Sequence, residues 1–364
     1  MATRRGTWGY RDRFGDRFGR TYFRRFGPGV VSSVGVGTYL GAATDAVDDG
    51  YREALTAALE HGVNVVDTAV NYRDGRSESV VGEALADAAV DRAAVVVATK
   101  GGFVPFDGER PDDPGQYVRE TVVDPGLAPA SELARGSHCI APAFLDAMVD
   151  RSLSTLDVET VDCYYVHNPE TQLAVRDREA VYDRLEDAFH VLERRVAAGE
   201  VGAYGVATWE AFRVPPDHDS FLSLPEVHAR AERAAERAGA PESSFAALQL
   251  PFNVVMADAF TVAAHAHGGA RTSALRYAQE AGLNVFASAS LAQGRLAAEG
   301  ELPTDVAARL EGDTPAQRAV NFARSAPGVT CALVGTSDVD HVAEALAAGT
   351  FDPLGARAFD DVFA

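Results

Sequence analysis

Lysine is almost missing from this chain: of the 33 Lys and Arg side chains in 364 residues, one is lysine, at position 100. Cysteine is nearly as scarce, with three. Cys139, Cys163 and Cys331 lack the close spacing of a zinc ligand set, and an odd, scattered trio builds no disulfide framework, so no metal site is expected. Cys163 and Cys331 fall in apolar strand-like runs and read as small core hydrophobes. No apolar run is long enough to cross a bilayer, and the opening MATRRGTWGYRDRFG lacks an apolar signal segment. Positive charge is outnumbered, 33 − 53 = −20. Such a surface repels nucleic acid and anionic membrane. The expectation is a cytoplasmic protein acting on small molecules, with neither nucleic acid nor membrane as partner; monomer and homo-oligomer both stay open. Abundant acid, abundant alanine and almost no lysine also suit a very salty medium, in which case the charge describes the solvent and not the substrate.

What is present is ample for a core: 47% of residues are apolar and 9% aromatic. Residues 1–29 stand apart as an arginine-rich arm with a near-tandem RDRFGDRFGR. Such an arm could touch RNA or a partner, lie on its own acidic body, or cover one end of the domain. Beyond it, continuously apolar runs at 31–38, 64–69, 94–100, 162–167, 202–208, 245–250, 284–289 and 330–335 predict parallel strands covered on both faces. Amphipathic segments at 51–61, 77–89, 142–156, 180–198, 225–238, 271–281, 315–325 and 338–348 predict the helices between and after them. Eight strand–helix units predict a single large α/β domain, a (β/α)8 TIM barrel over 30–350, with 351–364 as a C-terminal tail. A doubly wound sheet is the rival. It would open on a glycine fingerprint, and GVGTYL after the first strand lacks the last glycine. Residues 103–141, rich in Pro, Gly and Asp, form a long insertion after the third strand and are expected to make a lid or substrate wall.

Barrel active sites gather at the C-terminal ends of strands. Those ends place Asp67 after NVV, Lys100 after VVVAT and His167 after CYYV, with Tyr72 five residues beyond Asp67. Taken singly, each has a plainer reading: His167 as a hydrogen-bonded core histidine, Tyr72 as a loop tyrosine, Asp67 as a turn cap. Together they make chemical sense. An ammonium beside a phenol favours the phenolate and is expected to lower its pKa. A carboxylate keeps a partly dry lysine charged, and a histidine can donate to a carbonyl oxygen that the tyrosine protonates. None of the four is an obvious nucleophile, so the electrons must arrive as hydride from a cofactor. A Schiff-base aldolase using Lys100 is the competing chemistry. The carboxylate beside that lysine counts against it.

The stretch HGVNVVDTAVNYRDGRSESVVGEAL, followed in order by VVATKGG, YYVHNPE, GEVGAYGVATW, LQLPFN, ASLAQG and ALVGTS, resembles the aldo-keto reductase family over residues 30–348. The resemblance implies an oxidoreductase on a (β/α)8 barrel that binds NAD or NADP without a Rossmann domain. Its substrate would be an aldehyde, ketone or sugar-like carbonyl, or the matching alcohol. It also implies catalytic roles for Asp67, Tyr72, Lys100 and His167. Gly37, Thr38, Tyr39, Asn168, Thr208 and Gln249 would line the nicotinamide half of the cofactor, and Ser288, Leu291, Gln293, Gly335, Thr336, Ser337 and His341 the phosphates and adenosine. Three departures matter. Ala207 and Thr208 replace a Ser-Asn pair that holds the carboxamide, and Ser288 replaces a stacking aromatic ring. Gly335 and His341, with Asp338 and Asp340 beside them, replace cations at the 2′-phosphate. The last favours NAD or dual use. A branch of the same family associates with channels, which leaves a nucleotide-sensing, non-catalytic subunit as an alternative.

Overall fold

A parallel strand must be covered on both faces, which is why its sequence runs apolar instead of alternating. In the computed structural model, which describes residues 1–363, the chain opens with helix α1 (Arg4–Arg13) and a hairpin of β1 (Phe23–Phe26) and β2 (Gly29–Ser32). Next come β3 (Val34–Gly37), α2 (Asp45–Glu60), β4 (Val65–Asp67), α3 (Ser77–Asp87) and β5 (Val96–Gly101). The segment after β5 carries α4 (Pro114–Val118) and leads to α5 (Pro142–Thr155), β6 (Val161–His167), α6 (Arg178–Ala197), β7 (Val201–Ala207), α7 (Leu224–Ala238) and β8 (Phe245–Pro251). A short α8 (Asp258–Thr261) and a hairpin of β9 (His265–His267) and β10 (Ala270–Thr272) precede α9 (Ala274–Glu280) and β11 (Asn284–Ser288). The chain ends with α10 (Thr304–Ala307), α11 (Pro315–Ser325), β12 (Val329–Gly335), α12 (Val339–Ala348) and α13 (Ala356–Asp360).

Eight strands close into a barrel in the order β11-β12-β3-β4-β5-β6-β7-β8, and every pair in it is parallel. The protein is thus a single-domain (β/α)8 barrel. Small and medium side chains such as Val65, Ala98, Cys163 and Ala247 fill its interior with Tyr165, Phe286 and Leu333. A larger cluster joins the strands to the surrounding helices.

The end of the barrel opposite the strand C-termini is covered by α1 and the first hairpin. Tyr10 donates to the carbonyls of Leu59 (2.5 Å) and Val63 (2.8 Å), and Phe26 meets Phe286 edge-on at 5.6 Å. The arm is therefore fastened by buried contacts; an ion pair formed within it links Arg11 to neighbouring Asp12.

Two expected elements are divided differently. The run 31–38 breaks at Ser33: β2 pairs antiparallel with β1, whereas β3 enters the barrel. The Ser32 hydroxyl donates to the Val34 carbonyl at 2.7 Å, a local bond that competes with a continuous ladder. The helix expected over 271–281 begins only at Ala274. Residues 270–272 are spent on the hairpin that turns through Gly268 and Gly269, both at positive φ. Residues 103–141 fold against the barrel instead of hanging free, with Val118, Val122, Ala128 and Ile140 buried. In the C-terminal tail, Phe359 is buried against Phe252, Phe260 and Phe322. Among the described residues no helix is long and apolar enough to cross a membrane.

Candidate active site

The strands deliver four side chains to one place. Asp67 is the last residue of β4, Lys100 the penultimate residue of β5 and His167 the last of β6. Tyr72 follows β4 on a tight turn in which Arg73 and Asp74 take left-handed backbone (φ 52° and 55°), a conformation that costs most residues about 1 kcal/mol or more. Arg73 holds that turn. Its buried guanidinium bonds the Ala42 carbonyl and the Asp48 carboxylate and lies over the Tyr51 ring, whose hydroxyl donates to the Leu40 carbonyl. The turn carrying Tyr72 and the loop carrying Tyr39 and Leu40 are thereby fastened to each other.

Lys100 is wholly enclosed. Its Nζ donates to Asp67 Oδ1 at 2.6 Å and to the Thr68 carbonyl at 2.7 Å, and it stands 4.6 Å from the centre of the Tyr72 ring. Burial works against the ammonium, but Asp67 and Tyr72 outweigh it and hold its pKa above the ordinary lysine value. Gln249 Nε2 donates to the second carboxylate oxygen at 2.7 Å. The Tyr72 hydroxyl departs from the expectation of an acidified phenol. Burial raises its pKa first, and Lys100 only partly pulls it back. In this state Tyr72 is a protonated donor. For His167, burial and the nearby Lys100 charge push the imidazole pKa well below its usual value, so the ring is neutral. Its Nδ1 is buried without a partner.

Asp67, Tyr72 and His167 line a cavity of about 670 Å³, within the usual range of about 300–1,000 Å³ for ligand pockets. Lys100 does not reach it; it sits behind Asp67 and Tyr72. That placement removes the reading of Lys100 as a Schiff-base amine, because a carbonyl in the cavity meets no free nitrogen there. Gly37, Thr38, Tyr39, Asn168, Thr208, Gln249, Ser288, Leu291, Gln293, Gly335, Thr336 and His341 also line it. Ser337 does not: it faces Gly50 on α2. Of the insertion, only Phe103 lines the cavity. Asp107 instead pairs with Arg151 and accepts from Tyr117, so the polar part of 103–141 is no substrate wall. Thr208 is occupied too, since its hydroxyl donates to Glu170 and accepts from the Ala211 amide.

The residues fit an extended nicotinamide dinucleotide. After β11 the loop turns through left-handed Ala289, Ala292, Gln293 and Gly294. The amides of Ser290, Leu291 and Gln293 find no acceptor among the described residues, which makes a backbone nest suited to a pyrophosphate. At the end near Asp67, Gln249 Oε1 remains available beyond the bond to Asp67, and among the described residues the buried Asn71 Oδ1 has no partner. Among the described residues no Lys or Arg lines the cavity, and at its far end stand His341 and Glu344.

Sequence reasoning missed Trp209, Glu344 and Glu170. Trp209 lines the mouth just beyond the end of β7. The buried Glu170 carboxylate accepts from Thr208 and from the amides of Trp209 and Glu210, and so holds Trp209 in place. A tryptophan two residues past a strand end was the available signal for the first; nothing local marked the others.

An eight-stranded barrel whose mouth joins a buried Lys–Asp pair, a tyrosine and a histidine to a phosphate-sized nest presents a candidate active site on a (β/α)8 scaffold. The profile of the Aldo/keto reductase family matches residues 33–362, and the chain belongs to that family. An aldo/keto reductase of Klebsiella pneumoniae in complex with NADP and acetate shares the fold, with a TM-score of 0.61, 21% identity and 94% of both chains covered. An aldo-keto reductase of Bacillus subtilis is 26% identical over 201 residues, 54% of this chain and 48% of that protein. A probable voltage-gated potassium channel subunit beta of Oryza sativa is 28% identical over 163 residues, 45% of this chain and 38% of that protein. The chain spans about half or less of the length of these two relatives.

Proposed function

We propose that the protein transfers a hydride between a nicotinamide dinucleotide and a neutral aldehyde, ketone or sugar-like carbonyl, or runs the same exchange from the alcohol. The observation that carries this reading is the convergence of Tyr72, His167, Asp67 and the hidden Lys100 at the floor of one cavity. The bound cofactor supplies the hydride. His167 donates a hydrogen bond to the carbonyl oxygen and Tyr72 gives that oxygen its proton, while the Lys100 ammonium stabilises the phenolate left behind. Asp67 keeps Lys100 charged through the cycle.

The catalytic end of the cavity is lined by Tyr39, Leu40, Phe103 and Trp209, with Asn71 and Asn168 as its neutral polar groups. Without a lysine or arginine there, a carboxylate or phosphate on the substrate would lose its hydration unpaired, so uncharged carbonyls with an apolar or aromatic flank suit it best. The absence of a cation near His341 and Glu344 supports NAD, or both cofactors, over NADP alone. NADP in the Klebsiella relative points the other way.

The test is consumption of NADH and NADPH against neutral, acidic and phosphorylated carbonyls, run in low salt and in molar KCl. Turnover of neutral aldehydes, faster with NADH or equal with both, is expected. Tight nucleotide binding without turnover of any carbonyl or alcohol would replace this reading with the sensing subunit that the channel-beta relatives suggest.

A further inference from the structure

The insertion 103–141 contributes Phe103 to the cavity wall, yet its best-fixed group stands behind the wall. His138 is wholly buried. Its Nε2 lies 2.7 Å from the main-chain carbonyl of His167. A carbonyl can only accept, so Nε2 carries the proton. Its Nδ1 then offers a lone pair, and Gln172 Nε2 meets it at 2.9 Å. The same Gln172 nitrogen also reaches the carbonyl of His138 at 2.9 Å, which fixes it as the amide end of that side chain. Donor and acceptor are matched at both ring nitrogens.

The surroundings admit little else. The Cys139 amide donates to the Gly102 carbonyl at 2.7 Å and the Val104 amide to Ser137 at 2.8 Å, so the insertion returns alongside the end of β5. The Phe103 ring stands between the two imidazoles, 4.7 Å from His138 and 5.2 Å from His167. A Cβ on Gly102 would come within 2.6 Å of the His167 carbonyl and 3.3 Å of His138 Nε2. Three segments distant in sequence thus meet on the backbone of one candidate catalytic residue.

We propose that His138 is a positioning residue: its Nε2–H holds the His167 carbonyl, and with it the end of β6, so that the His167 ring faces the carbonyl substrate in a fixed orientation. The proposal rests on the reductase reading of the site and goes beyond it by assigning the insertion a part in catalysis. His167 lacks a partner at its own Nδ1, so no side-chain bond on that nitrogen orients the ring. Its orientation comes from its backbone and from the Phe103 and Tyr72 rings, which meet it edge-on at 5.2 and 5.9 Å. Burial pushes the His138 pKa down to about 4, which keeps the ring neutral and the bond pattern intact at working pH. Small displacements of a positioned donor cost up to about a hundredfold in rate.

Two substitutions separate positioning from bulk packing. His138→Phe keeps a ring without the donor, and His138→Gln keeps an amide donor near the place of Nε2. Steady-state kinetics should show kcat falling at least about tenfold in His138→Phe, with cofactor affinity unchanged and KM for the carbonyl little altered. His138→Gln should recover most of the loss. Because His138 acts through the His167 ring, adding His138→Phe to His167→Ala, which has no donor left to orient, should cost nothing further. A full second loss in that background, or no rescue by glutamine, overturns the proposal.

Histidine 15N NMR of the whole protein decides the geometry without turnover. An Nε2-protonated His138, and a shifted His167 ring in His138→Phe, support positioning; a His138 protonated on Nδ1 or an unmoved His167 ring refutes it. If the wild type reduces no carbonyl, the reductase reading fails on its own, and the spectra still judge whether His138 orders His167.

Discussion

At the scale of single residues the strand ends carried most of the information. Asp67, Lys100 and His167 were legible because a polar group closes an apolar run, and Tyr72 because it follows at a short distance. Their environment was not legible. Composition cannot tell whether an ammonium or burial dominates a phenol, and here burial wins at Tyr72. Two substitutions test the resulting roles. Tyr72→Phe leaves the ring and removes the proton donor, so kcat should fall by about a hundredfold or more, general acid catalysis contributing roughly 10²–10⁴, while cofactor affinity stays the same. An unchanged single-turnover hydride transfer would refute that role. Lys100→Met removes the positive charge that pulls the Tyr72 pKa back. Alcohol oxidation needs the phenolate, so the acidic limb of its pH–rate profile should move to higher pH; a limb that stays put would detach lysine from the acidity of tyrosine. His138 allows a stability measurement with a definite sign. Its folded pKa of about 4 lies below the free histidine value. The neutral ring therefore contributes stability that is complete above pH ~6.5 and is lost as pH falls toward 4, roughly 3 kcal/mol at the limit. Urea unfolding at pH 7.5 and pH 5 should show a smaller pH loss in His138→Gln than in the wild type.

At the scale of elements, the barrel strands and their helices could be read because each buried run is apolar throughout and each helix keeps one apolar face. The misread boundaries share a cause. Ser33 and the 265–272 hairpin lie where local bonds redirect the chain, and redirection leaves no periodic trace. The same holds for Arg73, whose importance depends on the path of a loop some thirty residues away in the chain. Its side chain is fully enclosed and paired with a largely buried Asp48, and its bonds to the Ala42 and Thr44 carbonyls tie the Tyr72 turn to the 39–44 loop. Arg73→Met keeps most of the stem but leaves Asp48 with Arg76 alone and the Ala42 carbonyl with only the Thr44 amide. Breaking a buried pair costs about 3–5 kcal/mol. Because Asp48 keeps a second partner, a loss of about 2–3 kcal/mol is expected in chemical denaturation, together with a raised KM for the carbonyl as Tyr39 and Leu40 loosen. Unaltered stability would mean that the turn is held by its own backbone.

At the scale of the whole molecule the question is what an excess of twenty negative charges does to the folded state. Many carboxylates are already answered: Arg230 sits among Glu179, Asp183 and Glu226, and Arg195 among Asp146, Asp150 and Glu200. These contacts lie well inside the Debye length of about 10 Å at 0.1 M salt, and even inside the roughly 3 Å of molar salt where the partners touch. Salt therefore weakens them little. The unpaired acids repel one another across longer separations, which is where screening acts most strongly. The arginine arm does not change this balance. Tyr10 anchors it through buried hydrogen bonds and Arg24 through half-buried ones, all to main-chain carbonyls, so salt has little to release there. Relief of repulsion should then outweigh the loss of ion pairing. Raising KCl from 0.1 to 2 M is expected to raise the melting temperature by about 1–3 °C, which is what about 1–2 kcal/mol gives in a domain of this size. A variant with six exposed, unpaired carboxylates changed to amides should be more stable in low salt and gain less from KCl. If the wild type melts at the same temperature or lower in 2 M KCl, surface pairs dominate its electrostatics, and the acidic composition is no adaptation to salt.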